Sequence, residues 1–105
     1  MDNVVPTVHV ITRKRLNEFA AIHPDSVAGL THWHRLMKAC RFQNFAQLRK
    51  TFPSADQVDN KTVFNIGGNK YRLIAAIHYN RGKIYIRAIL THREYDKGTW
   101  KRSNL

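Results

Sequence analysis

The sequence predicts an α+β fold in which N-terminal helices pack on a twisted antiparallel β-sheet formed by the C-terminal half of the chain. Residues 63–95 contain most of the β-forming residues, together with two glycine turn signals. Residues 27–40 place apolar side chains at spacings of three and four, which is typical of a helix with one buried face. Because the predicted strands are apolar on both faces in the middle, we expect both faces of the sheet to be at least partly covered.

The length of the chain predicts one domain. A chain of 105 residues can bury one core but not two, so residues 1–105 are expected to form a single domain with residues 1–7 as a loose leader. The elements expected before the sheet are a strand at 8–11, a helix capped by Thr12 that ends before His23, a helix from Asp25 or Ser26 to about Cys40, and a helix at 45–50 that begins at Asn44. Residues 54–61 are polar and are expected to be irregular.

Two glycine turns connect the predicted strands. Residues 67–69, Gly-Gly-Asn, join a strand at 62–66 to one at 70–79. Residues 80–82, Asn-Arg-Gly, signal a three-residue hairpin loop with Gly82 in the left-handed conformation.

The second hairpin sets an expected register. It pairs Tyr79 with Lys83, Ile77 with Tyr85, Ala75 with Arg87 and Leu73 with Ile89. Alternation along the strands then places Arg72 and Arg87 on opposite faces of the sheet. One of these two arginines is therefore expected to be structural, and Arg72 is the one we retain for a site.

The charge balance indicates a polyanionic partner. Eighteen lysines and arginines stand against seven acidic residues, which gives a formal net charge of +11 and an isoelectric point near 10.4. Such a surface favours RNA, DNA or an acidic protein. No apolar run has the length of a membrane span, and no signal peptide precedes the first strand. The single cysteine, Cys40, cannot form an internal disulfide, and we interpret the chain as cytoplasmic.

Several kinds of site lack their sequence signature. There is no nucleophile elbow, and seven scattered acidic residues fit a two-carboxylate hydrolase badly. His32 and His34 are two residues apart and point to different sides of a helix, without Cys or acidic ligands at zinc spacing. Gly67 and Gly68 are flanked by strands and lack the Gly-Lys-Ser/Thr of a phosphate loop. We expect neither a metal nor a cofactor.

Side chains that stabilise anions and move protons converge at one end of the predicted sheet. Arg72, Arg87, His92 and Tyr95 lie there with neighbouring lysines. An imidazole and a phenol can move protons to and from a 2′-hydroxyl and a leaving oxygen, while a guanidinium stabilises charge on the phosphorane. This set of side chains suits metal-free cleavage of RNA, with a strand tyrosine available to stack on a base.

Two segments resemble a known family: HVITRKRL at 9–16 and VFNIGGNKYRLIAAIHYNRGKIYIRAILTHREYD at 63–96, above all F-N-I-G-G-N, Y-R-L-I and T-H-x-E-Y-D. Over nearly all of residues 8–101 the chain resembles the HigB toxins of bacterial type II toxin–antitoxin systems, in the RelE/ParE superfamily. The resemblance implies a RelE-like α+β fold and an mRNA endonuclease (interferase) that acts on translating mRNA in the ribosome. It also implies a HigA-like antitoxin with a helix-turn-helix domain, whose complex with the toxin binds operator DNA.

The resemblance also suggests roles for single residues. In the superfamily an arginine on the strand matching Tyr71-Arg72-Leu73 contacts the scissile phosphate, which implies this role for Arg72. His92 and Tyr95 match the positions of the C-terminal acid/base and stacking residues. The residues expected to bind RNA are Lys70, Tyr85, Arg87, Arg93 and Lys97, of which Lys70 and Arg87 are inferred from charge and register and not from a family motif.

Alternatives stay open at this point. Some members of the superfamily inhibit gyrase, and a basic module can bind RNA or the ribosome without cutting it. In those cases His92 would cap the strand end, Tyr95 would be a boundary aromatic with its hydroxyl in water, and the lysines would serve solubility.

Overall fold

The fold has the predicted α+β class. The computed structural model describes the backbone of residues 9–11 and 13–101 and the side chains of residues 14–101. The elements are β1 (His9–Ile11), α1 (Arg13–Ile22), α2 (Val27–Ala39), α3 (Phe45–Thr51), β2 (Asp56–Val58), β3 (Lys61–Ile66), β4 (Tyr71–His78), β5 (Lys83–Thr91) and α4 (His92–Lys97), with 3₁₀ turns at Pro24–Ser26 and Thr99–Lys101. The expected leader at 1–7 and the expected cap Thr12 lie outside the described residues.

In the part of the chain that the structure describes, five strands form one sheet in the order β1-β5-β4-β3-β2. Strands β2 to β5 are antiparallel, as expected, whereas β1 pairs with β5 in parallel. The prediction that residues 54–61 are irregular is wrong, because β2 lies there and pairs with β3. A polar edge strand of three residues has no apolar alternation that would have revealed it.

Helices α1 to α3 cover one face of the sheet, which we call the inner face. The predicted stripe of α2 is buried at Leu30, Trp33 and Met37. The core on this face consists of Leu16, Leu30, Trp33, Met37, Phe42, Leu48, Ala55, Phe64, Ile66, Tyr71, Leu73, Ala75, Ile84 and Ile86. A Cβ at Gly29 would lie 2.7 Å from the backbone nitrogen of Gly67, so a glycine there lets α2 approach the β3–β4 turn closely.

Only some of the N-caps predicted from the sequence are found in the structure. Asn44 caps α3, with its side chain accepting from the Gln47 N–H at 2.9 Å, as predicted. Ser26 stands at the start of α2 but makes no side-chain cap bond, because its hydroxyl donates to the His23 carbonyl at 2.7 Å. Asp25 turns away to the start of β4 instead.

The C-terminal segment covers part of the opposite face, which we call the outer face. Trp100 is buried against Val63 and Ile74. Helix α4, which the sequence reading did not predict, brings Tyr95 to the same cluster. The outer face therefore has a covered end beside α4 and an open end beside the β4–β5 loop.

The expected register of the β4–β5 hairpin is wrong near the loop and right further along. His78, not Tyr79, pairs with Lys83, since the loop has four residues, 79–82. Leu73 pairs with Ile89 as predicted, because a β-bulge between Ile74 and Ala75 restores the register. Gly82 is left-handed as predicted, with φ 65°.

The bulge decides where Arg87 lies. Ala75 pairs with Ile86 and Ile74 pairs with Ala88, so the pairing with β4 skips Arg87. Its guanidinium lies over the Tyr85 ring, which contacts His78 on the outer face. The expectation that Arg72 and Arg87 lie on opposite faces is therefore wrong.

The described part of the chain has neither a cluster of metal-binding side chains nor a helix suited to span a membrane. Within residues 9–11 and 13–101, no group of three or more His, Cys, Asp or Glu side chains is arranged to hold a metal ion. Over the same residues, no helix combines the length and the apolarity needed to cross a membrane.

Candidate active site

A capping box at the end of the sheet starts helix α4. Thr91 Oγ1 accepts from the Glu94 N–H at 3.2 Å, and Glu94 Oε1 accepts from the Thr91 N–H at 2.9 Å. Gly98 ends the helix in the left-handed conformation. The His92 N–H donates to the Lys70 carbonyl at 2.9 Å and so ties α4 to the start of β4. This places α4 beside Arg72.

Arg72 is buried, with 8% of its surface exposed. Its Nη1 donates to the carbonyl oxygens of Asn69 at 3.1 Å and Tyr71 at 3.3 Å, and its Nη2 donates to Asn69 Oδ1 at 2.8 Å. Arg72 forms no ion pair with a carboxylate of residues 14–101. Its charge is thus fixed in place without a compensating anion from that part of the chain, as suits a guanidinium that binds a phosphate.

His92 is held through both ring nitrogens. Arg72 Nη2 lies 3.3 Å from His92 Nδ1, and a guanidinium can only donate, so Nδ1 accepts. The proton of the neutral ring is therefore on Nε2, which lies 3.1 Å from Asp96 Oδ2. Arg72, His92 and Asp96 form a chain in which the basic ring nitrogen faces the guanidinium.

Tyr95 lies over the same guanidinium. The centroid of its ring is 5.4 Å from Arg72 Cζ, and the ring stacks on Trp100 at 5.1 Å. Burial raises the pKa of Tyr95, and the nearby carboxylate of Asp56 adds to this effect while Arg72 opposes it. The phenol therefore keeps its proton at neutral pH, which is the state a proton donor needs.

The remaining residues expected to bind RNA lie around this cluster, not in it. Lys70 pairs with Asp25, with 3.2 Å between Nζ and Oδ2. The Tyr71 hydroxyl donates to the same carboxylate at 2.5 Å and, with Lys70, lowers the pKa of Asp25. Arg93 and Lys97 are exposed on α4. Tyr85 and Arg87 lie at the open end of the outer face.

Three residues of the cluster were missed in the sequence: Asn69, Asp96 and Trp100 as a neighbour of Tyr95. The Thr91–Glu94 spacing is a capping-box signal and would have predicted α4. A helix starting there puts His92 and Asp96 four residues apart on one face. Asn69 had no signal beyond its turn, because its contact with Arg72 depends on the tertiary position of both residues.

Comparison with known proteins identifies the family. Residues 27–98 match a family described as HigB_toxin, RelE-like toxic component of a toxin-antitoxin system. The chain belongs to the HigB toxin family. It is 35% identical over 92 residues to the mRNA interferase toxin HigB of Escherichia coli K12, covering 85% of this chain and 88% of that protein. It is 30% identical over 95 residues to the mRNA interferase HigB of Escherichia coli O6:H1, covering 88% and 92%.

Membership of the HigB family gives this chain a partner class. The chain is the toxic component of a toxin–antitoxin pair, so an antitoxin is expected to bind it. The resemblance stated from the sequence is confirmed, and so is the RelE-like α+β fold.

Proposed function

We propose that this toxin is a metal-independent mRNA endonuclease, an interferase, that cuts translated mRNA on the ribosome and thereby stops growth. One observation carries the proposal. A buried guanidinium without a carboxylate partner among residues 14–101 lies 3.3 Å from a histidine nitrogen, with a tyrosine over it. The HigB relatives named above are called mRNA interferases, which supports the same activity here.

The proposed reaction needs a base, an acid and a group that stabilises the phosphorane. The 2′-oxygen bonds to phosphorus while its proton passes to the base. The bond from phosphorus to the 5′-oxygen breaks, and that oxygen takes a proton from the acid. The products are a 2′,3′-cyclic phosphate and a 5′-hydroxyl.

The clustered side chains supply these three roles. His92 presents a basic nitrogen, and Tyr95 presents a phenol whose raised pKa keeps it protonated. Arg72 is fixed before substrate arrives, so stabilising the phosphorane requires little reorganisation of the site. Every group therefore belongs to the chain itself, and the proposed step uses no cofactor.

Cations outside the cluster are proposed to hold the RNA backbone. Arg93 and Lys97 project from α4 next to the catalytic groups, and Lys70 lies at the start of β4. Tyr85 and Arg87 extend the contact toward the open end of the outer face. Such contacts bind phosphate or stack on a base, and they carry little base specificity.

The antitoxin and the cellular setting are also proposed more finely. We expect a HigA-like protein with a helix-turn-helix domain, through which the complex of the two proteins binds operator DNA and represses its own operon. A net charge of +11 suits an approach to ribosomal RNA as well as to mRNA. A toxin acting on translation would work in the cytoplasm.

The decisive experiment maps mRNA 5′ ends after induction of the toxin in a bacterial host. The wild type should produce new cuts within translated frames, each with a 5′-hydroxyl. His92→Ala should abolish these cuts and the growth arrest. His32→Ala removes an exposed histidine from α2 and is the matched control, which should cut like the wild type.

The opposite results are equally clear. Growth arrest with intact mRNA would reject the endonuclease and favour another target such as gyrase. Cuts that persist in His92→Ala would keep the endonuclease but remove His92 from the catalytic set. Circular dichroism of both variants would verify that each is folded.

A further inference from the structure

We propose that Asp96 is a positioning residue that makes Nδ1 the basic atom of His92, and that the RNA phosphate releases this atom from Arg72. The inference rests on the proposed RNA cleavage and names how its base is controlled. Neither Asp96 nor a particular ring nitrogen follows from membership of the HigB family.

The hydrogen bonds leave one arrangement of the ring. Arg72 donates toward Nδ1 at 3.3 Å, and Asp96 Oδ2 faces Nε2 at 3.1 Å. A carboxylate accepts and a guanidinium donates, so both neighbours place the proton of the neutral imidazole on Nε2. Only Nδ1 then has a lone pair that can take the proton of the 2′-hydroxyl.

The position of Asp96 is unfavourable for the helix itself. Asp96 lies in the last turn of α4, where an anion opposes the helix dipole. The cationic partner also comes first in the His92–Asp96 pair, which is the weaker order for ion pairs four residues apart. Helix stability therefore gives no reason for an aspartate here, whereas orientation of His92 does.

The resting contacts block the base until RNA arrives. In the free toxin the Nδ1 lone pair is occupied by a donor from Arg72. A phosphate oxygen is a stronger acceptor for a guanidinium than an imidazole is, because it carries charge. When the scissile phosphate takes the Nη2–H, Nδ1 is left beside that phosphate, within reach of the adjacent 2′-hydroxyl. The proton moves to Nδ1, and Asp96 stabilises the resulting imidazolium through Nε2–H.

The contacts of His92 within the described residues come from two elements of the fold. Arg72 approaches the ring from β4, Asp96 faces it from α4, and the Lys70 carbonyl accepts the backbone N–H of His92. The side chains of His92 and Asp96 are 48% and 61% exposed. The dyad is thus open to an RNA strand arriving from solvent.

The first test is spectroscopic and compares the free toxin with the toxin bound to an RNA that it cannot cut. Long-range ¹H–¹⁵N spectra of the toxin, labelled in histidine and recorded with neutral rings, should show His92 protonated on Nε2. Addition of a non-cleavable RNA with a 2′-O-methyl group should change the Nδ1 signal, since its donor moves to the phosphate. A ring protonated on Nδ1 would overturn the proposal.

The second test is kinetic. Asp96→Ala should lower kcat by on the order of 100-fold with little change in KM, since it disturbs the orientation of the base and not the RNA contacts. Asp96→Asn keeps an acceptor but not the charge, and it should fall between Asp96→Ala and the wild type. Glu18→Gln is the matched control, because Glu18 also belongs to an exposed i,i+4 pair, with Lys14.

The two proposals fail separately. A wild type that cuts no RNA would overturn the proposed function, and this inference with it. A wild type that cuts while Asp96→Ala keeps its kcat would overturn only the role of Asp96. If Asp96→Ala does not fold, the spectroscopic test on the wild type and the kinetics of Asp96→Asn still test the proposal.

Discussion

The outer face of the sheet carries two arginines in opposite circumstances. Arg72, at the covered end, is buried and makes hydrogen bonds to Asn69, Tyr71 and His92. Arg87, at the open end, is exposed, is skipped in the pairing with β4, and lies over Tyr85. A guanidinium is fixed in place only when several acceptors bind it and aromatic rings shield it from solvent. An exposed charge is enough to attract RNA. We therefore propose that the same residue type supports RNA cleavage at the covered end and RNA binding at the open end.

The two ends of the outer face differ first in the burial of their aromatic side chains. Trp100 is 8% exposed, packs on Val63 and Ile74, and stacks on Tyr95. At the open end, Tyr85 contacts only side chains that are themselves exposed, His78 and Arg87, in the contacts described. Removing each aromatic ring should show how much stability the cover contributes.

We predict the largest loss of stability for Trp100→Ala. Deleting a buried tryptophan should lower the free energy of unfolding by about 3–5 kcal/mol, against about 1 kcal/mol for Tyr85→Ala. Because burial is the main cause of the raised pKa of Tyr95, losing the cover should also move that pKa down toward its ordinary value of about 10.

Urea unfolding measures the first effect, and phenolate absorbance during an alkaline titration measures the second. Trp100→Phe keeps most of the cover and loses the bond from Nε1 to the Tyr95 carbonyl, so it should lose only about 1 kcal/mol. Equal losses for Trp100→Ala and Tyr85→Ala would contradict the distinction between covered and open ends.

Arg72→Lys should have the next largest effect, and mainly on activity. Lysine keeps the charge but lacks the planar fork that reaches Asn69, Tyr71 and His92 together. We expect the rate of cleavage to fall by on the order of 10²–10³, and the free energy of unfolding to fall by about 1–3 kcal/mol. Single-turnover cleavage and urea unfolding measure these two quantities.

The interpretation of Arg72 requires that activity is lost beyond the loss of folding. A variant that is folded at the assay temperature and still cuts at the rate of the wild type would show that charge alone is enough. That result would also mean that Arg72, like Arg87, acts through its charge alone.

Sequence reasoning identified the local features of the fold and missed those that depend on distant contacts. The stripe of α2, the cap at Asn44 and the left-handed Gly82 follow from residue type and spacing. The β4–β5 loop contacts Arg41, which lies just past the end of α2 and donates from Nη2 to the carbonyls of Tyr79 and Asn80. The Asn-Arg-Gly signal suggests a loop of three residues, whereas the observed loop has four, so the predicted register is one residue out at the loop.

The candidate site divides in the same way. Arg72, His92 and Tyr95 could be named because their chemistry and their family resemblance are visible in single residues. Their contact with Asp96 could be predicted only together with helix α4. The capping box at Thr91 and Glu94 predicts this helix, but apolar periodicity does not. The face on which Arg87 lies could be predicted only if the β-bulge was known. A bulge leaves no periodic signal when the strand is apolar on both faces.

The smallest predicted effect belongs to Arg87→Ala. An exposed arginine in a bulge should change the free energy of unfolding by less than about 0.5 kcal/mol. If it contacts one phosphate, its loss should reduce the slope of log K against log salt by about 0.7 for single-stranded RNA. Fluorescence anisotropy with a labelled, non-cleavable RNA over a salt series measures this slope.

The matched control for Arg87→Ala is Arg35→Ala, which removes an exposed arginine from α2 on the other side of the sheet. Both variants lose one charge, so general attraction of a basic protein for RNA would weaken equally in both. A contact at the open end predicts a reduced slope for Arg87→Ala alone. Identical slopes for the two variants would mean that RNA does not extend past the covered end, and that the outer face binds substrate only around Arg72.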